Sequence, residues 1–96
     1  MIIKFNPVFS SDELSIKKHG DALTINGELF DFRDLPEGAE LPAHAVDCKF
    51  VSGTVTRING DLVITLFLPG APGSPEYVRF PADIINPADG NVRIPQ

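Results

Sequence analysis

Two histidines, one cysteine and a run of carboxylates are the side chains of this sequence that could do chemistry. His19, His44 and Cys48 would suit a zinc ion only at a recognised ligand spacing, and theirs matches none. Asp31, Asp34, Glu37 and Glu40 gather around a proline-containing stretch. A calcium loop needs oxygens recurring at fixed positions about a glycine, a pattern missing here, so these four read as surface charge. Asn86, Asp89 and Asn91 flank Gly90 and shape a turn. Cys48 reads as a small, half-buried apolar side chain. No glycine-rich loop opens a helix to cradle phosphate, and no serine stands in a nucleophile elbow. The sequence predicts no enzyme, no cofactor, no metal and no small-molecule substrate.

Charge narrows the partners. The 96 residues carry 13 acidic against 8 basic side chains, a formal charge of −5. Nucleic acids and anionic membranes require clustered Lys and Arg, and the only basic pair is Lys17-Lys18. Neither partner is expected. With a single cysteine no internal disulfide can form, which suits a reducing compartment. Met1 to Phe5 is too short an apolar run for a signal peptide, and no run approaches the roughly 18 residues of a transmembrane helix.

The elements that would position these residues are strands. Eight glycines and 9 prolines favour short strands and turns over helices. The dominant stretch is Val51 to Leu68, read as one long hairpin around Asn59-Gly60, because a type I′ turn needs φ > 0 at both central residues. In that register Val51, Gly53, Val55 and Arg57 oppose Leu68, Leu66, Ile64 and Leu62 on an aliphatic face. Ser52, Thr54 and Thr56 share the other face with Phe67, Thr65 and Val63.

Upstream, Met1 to Phe5 is a strand that Asn6-Pro7 should end, and Val8 to Glu13 is loop. Leu14 to Lys18, Ala22 to Ile25 and Glu28 to Arg33 form a meander turning at His19-Gly20-Asp21 and Asn26-Gly27. Leu23 then faces Phe30 and Ile25 faces Glu28. Downstream, Glu76 to Phe80 is a short strand, Ile84-Ile85 pairs briefly and Val92 to Ile94 is a last strand. The fold expected is one all-β domain over residues 1–96, with antiparallel meander and hairpins forming a small sandwich or open barrel. Its core should include Leu23, Ile25, Phe30, Phe32, Val55, Leu62, Ile64, Leu66 and Leu68.

Two connections are long for hairpins: Asp34 to Asp47, with room for one helical turn near Ala43 to Val46, and Pro69 to Pro75. Long loops on a rigid sheet often bind. The candidate binding residues are therefore Pro69, Gly70, Ala71, Pro72, Gly73, Ser74 and Pro75. Proline lowers the entropy lost when such a loop docks.

Several segments, in order, carry a resemblance. They are Leu29-Phe30-Asp31-Phe32, Leu35-Pro36-Glu37-Gly38-Ala39 with Leu41-Pro42-Ala43, Gly53 to Arg57, and Asp61 to Pro69. Phe80-Pro81, Ile84 or Ile85, Ala88-Asp89-Gly90 and Ile94-Pro95 complete the series. From Leu29 to Pro95 the chain resembles a group of small phage and prophage proteins encoded among tail-structure and tail-assembly genes, with no established activity. The resemblance implies a structural or assembly protein binding a phage tail or assembly protein, or its own copies. It would work in the bacterial host cytoplasm during assembly, or in the virion. An alternative of another class is a small regulatory or inhibitor protein of a mobile element that binds a host protein, its acidity suiting a basic target. The chain departs from the group after Pro69, where Gly70-Ala71-Pro72-Gly73 replaces a His-Gly-Pro-Asn type loop, and no functional residue carries over.

The central turn is directly testable. Gly60→Val places a β-branched residue where φ must be positive and should destabilise by about 1–3 kcal/mol. Thr65→Ser, on the polar face, should cost under about 1 kcal/mol. Denaturant midpoints of the two variants and the parent measure both; equal midpoints for Gly60→Val and the parent would misplace the turn.

Overall fold

The computed structural model describes residues 1–71, 73, 75 and 80–95. The predicted strand Glu76 to Phe80 lies mostly outside the described residues, as do Pro72 and Ser74 of the candidate loop. Strands β1 (Ile2–Phe9), β5 (Glu40–Leu41), β6 (Val55–Ile58), β7 (Asp61–Gly70) and β8 (Ile84–Ile85) make sheet A, in the order β5-β6-β7-β1-β8. Strands β2 (Ile16–His19), β3 (Ala22–Ile25), β4 (Glu28–Asp31) and β9 (Gly90–Asn91) make sheet B, in the order β4-β3-β2-β9. One helical turn, α1 (Ala43–Val46), lies between β5 and β6. The all-β reading holds.

Both Asn-Gly turns form as the sequence requires. Asn26 and Gly27 have φ of 49° and 84°, Asn59 and Gly60 have 51° and 82°. The registers follow: Leu23 faces Phe30, Ile25 faces Glu28, and Ile58 faces Asp61. Along β7 the expected alternation is complete, with Leu62, Ile64, Leu66 and Leu68 all buried. These side chains meet Ile16, Leu23 and Ile25 from sheet B, and Phe32 just past β4, in one core shared by the two sheets. The sequence-derived core is buried throughout except for Phe30, which is half-buried against it. Ile3, Phe50 and Val92 join from segments whose burial no local pattern announces.

Five expectations are corrected. The central hairpin is not continuous: Val51 bridges Leu66 rather than Leu68. Two extra residues therefore sit between Val51 and Val55, and Gly53 takes φ of 74° to make the bulge. Inserting two rather than one preserves the alternation, so Val51 and Val55 still point inward.

Sheet A is not wholly antiparallel. β1 runs parallel to β7 over eight residue pairs, from Ile2 opposite Val63 to Phe9 opposite Gly70. The intervening chain, which contains all three strands of the meander, is long enough to serve as the crossover that parallel strands need.

Asn6-Pro7 does not end β1. The Ser10 amide donates to the Gly70 carbonyl at 3.0 Å, so alternation directs Val8, Asn6 and Lys4 toward β7 and turns the Pro7 nitrogen away from it. A missing N–H costs the ladder nothing there. Pro69 follows the same logic. Odd residues of β7 face the Phe50 side, where the Phe67 amide donates to the Phe50 carbonyl at 2.7 Å. The ring nitrogen of Pro69 is thereby kept out of the β1–β7 ladder, and Pro69 and Gly70 belong to β7, not to a loop.

The last strand is displaced. β9 is Gly90–Asn91, paired with Lys18 and Lys17. Val92 only donates its amide to the Ile16 carbonyl, at 2.9 Å.

Arg57 ties the sheets together. The register places it on the buried face opposite Leu62, and its side chain is only 11% exposed. Nε donates to the Leu35 carbonyl at 2.6 Å and Nη2 to the Phe32 carbonyl at 3.1 Å. Nη1 donates to Asp21 Oδ2 at 2.9 Å and to the Gly60 carbonyl at 3.2 Å. Truncation to Arg57→Met would strand the half-buried Leu35 carbonyl, leave the Phe32 carbonyl with the Leu35 amide alone and leave Asp21 without its ion pair. A loss of about 2–4 kcal/mol in urea unfolding is expected. Arg57→Lys should recover little of it, since an ammonium cannot reproduce the planar fork.

Candidate functional site

The candidate segment starts in regular structure. Pro69 and Gly70 close β7 beside Val8 and Phe9 of β1. Ala71 follows directly, Gly73 has φ of 83°, and Pro75 rejoins the surface of an open groove. That groove, of about 480 Å³, runs between Leu68, Pro69 and Gly70 on one wall and Leu14, Ile94 and Pro95 on the other. An adjoining cleft of about 750 Å³ shares Leu14, Ser15, Ile94 and Pro95 and continues along Asn91 to Arg93.

The physical origin of the groove is a mismatch in strand length. β7 extends ten residues, while the strands of sheet B extend four or fewer. The core-side face of sheet A therefore continues past the cover that sheet B provides. At the uncovered end, Phe9 lies opposite Gly70 on the same face as Leu68 and is 77% exposed. An aromatic ring of that size on water is the observation that local pattern missed, because the sequence placed Phe9 in a loop. Of the predicted site, Pro69, Gly70 and Pro75 line the groove and Ala71 and Gly73 connect them.

The far wall of the cleft is fastened by charge. Asp89 Oδ1 accepts from Lys18 Nζ at 2.8 Å and from the Gly20 amide at 3.1 Å. The Lys18 hydrogen bond first, then the Gly20 N–H, hold the Asp89 carboxyl below the usual carboxylate range. Asn26 fixes the near wall. Its Oδ1 accepts from the Ser15 amide at 2.7 Å and its Nδ2 donates to the Glu13 carbonyl at 2.8 Å.

The residues that could have done chemistry stay apart. His19 ends β2, His44 sits on α1, and Cys48 is half-buried beside the core. No group of three or more His, Cys, Asp or Glu converges among the described residues. Asp31 pairs with Arg33, which holds its carboxyl low, while Glu37 caps the tip of the central hairpin. Among the described residues, no helix is long and apolar enough to cross a membrane. Compared with protein-family models, curated proteins and solved structures, the chain matches none.

Because Asp89 titrates lower in the folded chain than in the unfolded one, its contribution is present above the unfolded value, near pH 4, and fades as pH falls through the folded value. The protection of the Val92 amide, taken relative to its intrinsic exchange rate at each pH, should therefore be greatest near neutral pH and fall below about pH 4. In Asp89→Asn the Val92 amide should exchange faster at neutral pH, and the acid-induced change should shrink.

Proposed function

We propose that the protein is a phage or prophage structural or assembly protein, tail-associated, that works by protein–protein binding. The two sheets around one core are read as the layers of a small sandwich, with the partner docking where sheet A outruns sheet B. The observation that carries this reading is Phe9, 77% exposed on the continuation of the core-side face. The same end of the β1–β7 pair contributes Leu68, Pro69 and Gly70 to a groove that Pro75 also lines. Exposed aromatics of this kind anchor interfaces, because a rigid ring buries much area at small entropic cost. The ordered segments from Leu29 to Pro95 supply the phage context, and the partner is a tail or assembly protein or a second copy of the chain. On this reading it works in the host cytoplasm during assembly, or in the particle.

The experiment is incorporation into particles. Phe9→Ser removes an exposed ring and should leave the unfolding midpoint within about 0.5 kcal/mol of the parent. It should also lower association with purified tails or assembly intermediates, or self-association, by about tenfold or more, the level of an interface anchor. Replacing residues 71–75 with a Gly/Ser loop, while leaving Pro69 and Gly70 in β7, should weaken the same association. Full incorporation of both variants would overturn the reading. Normal particles together with specific capture of a host protein would favour the inhibitor alternative instead.

A further inference from the structure

Asn-Gly is the dipeptide most prone to lose its amide, because glycine leaves the following backbone nitrogen unshielded. This chain holds two such sites in nearly superimposable turns, with φ of 49° and 84° at Asn26-Gly27 and 51° and 82° at Asn59-Gly60. Any difference in their reactivity must then come from what touches them.

The contacts differ in kind. At Asn26 the reacting side chain is tied at both ends, to the Ser15 amide and to the Glu13 carbonyl. Asn59 is exposed and its side chain makes no hydrogen bond among the described residues. At Gly27 and Gly60 alike a Cβ would meet nothing within 4 Å, so crowding of the glycine does not separate the two sites. What restrains the Asn59-Gly60 turn is Glu37. Its Oε2 accepts the Asn59 amide at 2.9 Å and its Oε1 the Gly60 amide at 2.5 Å.

We propose that Asn59-Gly60 is a deamidation site that Glu37 keeps closed in the folded chain, and that its modification releases the turn at Glu37 and Gly38 from the hairpin. In the reaction the Gly60 nitrogen loses its proton to hydroxide and bonds to the Asn59 side-chain carbonyl carbon. The bond from that carbon to Nδ2 breaks, and the nitrogen takes a proton from water and leaves as ammonia. Water then opens the succinimide to aspartate or isoaspartate. Attack requires the Gly60 nitrogen to leave the carboxylate and the turn to rotate, and both motions break the Glu37 contacts.

The product cannot restore those contacts. Isoaspartate adds a methylene to a two-residue turn, and either product sets a new carboxylate beside Glu37. Glu37 and Gly38 lean on this hairpin through the Glu37 bonds and the Gly38 amide, which donates to the Arg57 carbonyl at 2.9 Å, while Leu35 stays held by Arg57 and Glu40–Leu41 by β6.

The test uses the full chain in neutral buffer, at a temperature where circular dichroism shows each variant folded. Peptide mass mapping then follows Asn, Asp and isoaspartate at both sites. Glu37→Ala should speed loss at Asn59 by roughly tenfold or more, the factor a hydrogen bond to a charged group is worth, and leave Asn26 unchanged. Glu37→Gln keeps an acceptor without the charge and should show a smaller rise; it is the deciding variant if Glu37→Ala does not fold. Equal acceleration at both sites in a folded variant, or none at Asn59, would overturn the proposal. In parent chains modified at position 59, the Gly38 amide should exchange faster than in unmodified chains, and unchanged protection would overturn the release of the turn at Glu37 and Gly38.

Discussion

The Arg57 guanidinium is the interaction on which the rest of the molecule depends. It stands on the apolar face of β6, where a charge is costly unless each donor is met. Four of its donors are met, and their acceptors come from different parts of the chain. Asp21 belongs to the β2–β3 turn, Phe32 and Leu35 to the exit from β4, and Gly60 to the central turn. One rigid fork thereby aligns the meander of sheet B against the hairpin of sheet A. Hydrophobic burial draws the sheets together without direction; the fork decides how they sit.

Around that junction the two Asn-Gly turns use the same backbone and opposite fastenings. In the first, the asparagine side chain reaches out to hold the segment at Glu13 to Ser15. In the second, a carboxylate from a distant segment reaches in to hold the turn's amides. Identical local chemistry therefore anchors two unlike connections. The acidic residues of the 31–40 stretch owe their places to the same logic. Asp31 grips Arg33 and Glu37 caps the hairpin, each a structural task.

Sheet A ends differently at its two edges and at its tip. Its outer strands among the described residues, β5 and β8, are two residues each, and short edges discourage strand-to-strand aggregation. The tip of the β1–β7 pair has no such protection, because Pro7 and Pro69 are tolerated within it and carry the strands past sheet B. The groove and the exposed Phe9 result from that overrun. The proposed binding role thus rests on the feature that lets two prolines lie inside strands.

What the amino-acid sequence determined by itself was local. Both Asn-Gly turns, the Leu23–Phe30 and Ile58–Asp61 registers and the buried stripe of β7 follow from φ > 0 chemistry and period-two alternation, which act over a few residues. The helical turn before Asp47 was legible in the same way, and Ile84-Ile85 as a short strand, though not its partner β1. The tertiary structure decided what depends on partners far along the chain. β1 joined β7 in parallel, Gly53 opened a bulge, and Arg57 found acceptors in both sheets. The fate of a proline in a strand hangs on which side of the ladder its nitrogen faces, and the neighbour that sets that side is remote in sequence. The candidate groove was half legible for this reason. The residues from Pro69 to Pro75 stand out by composition, but Phe9, Leu14 and Ile94 come beside them only when distant strands pair.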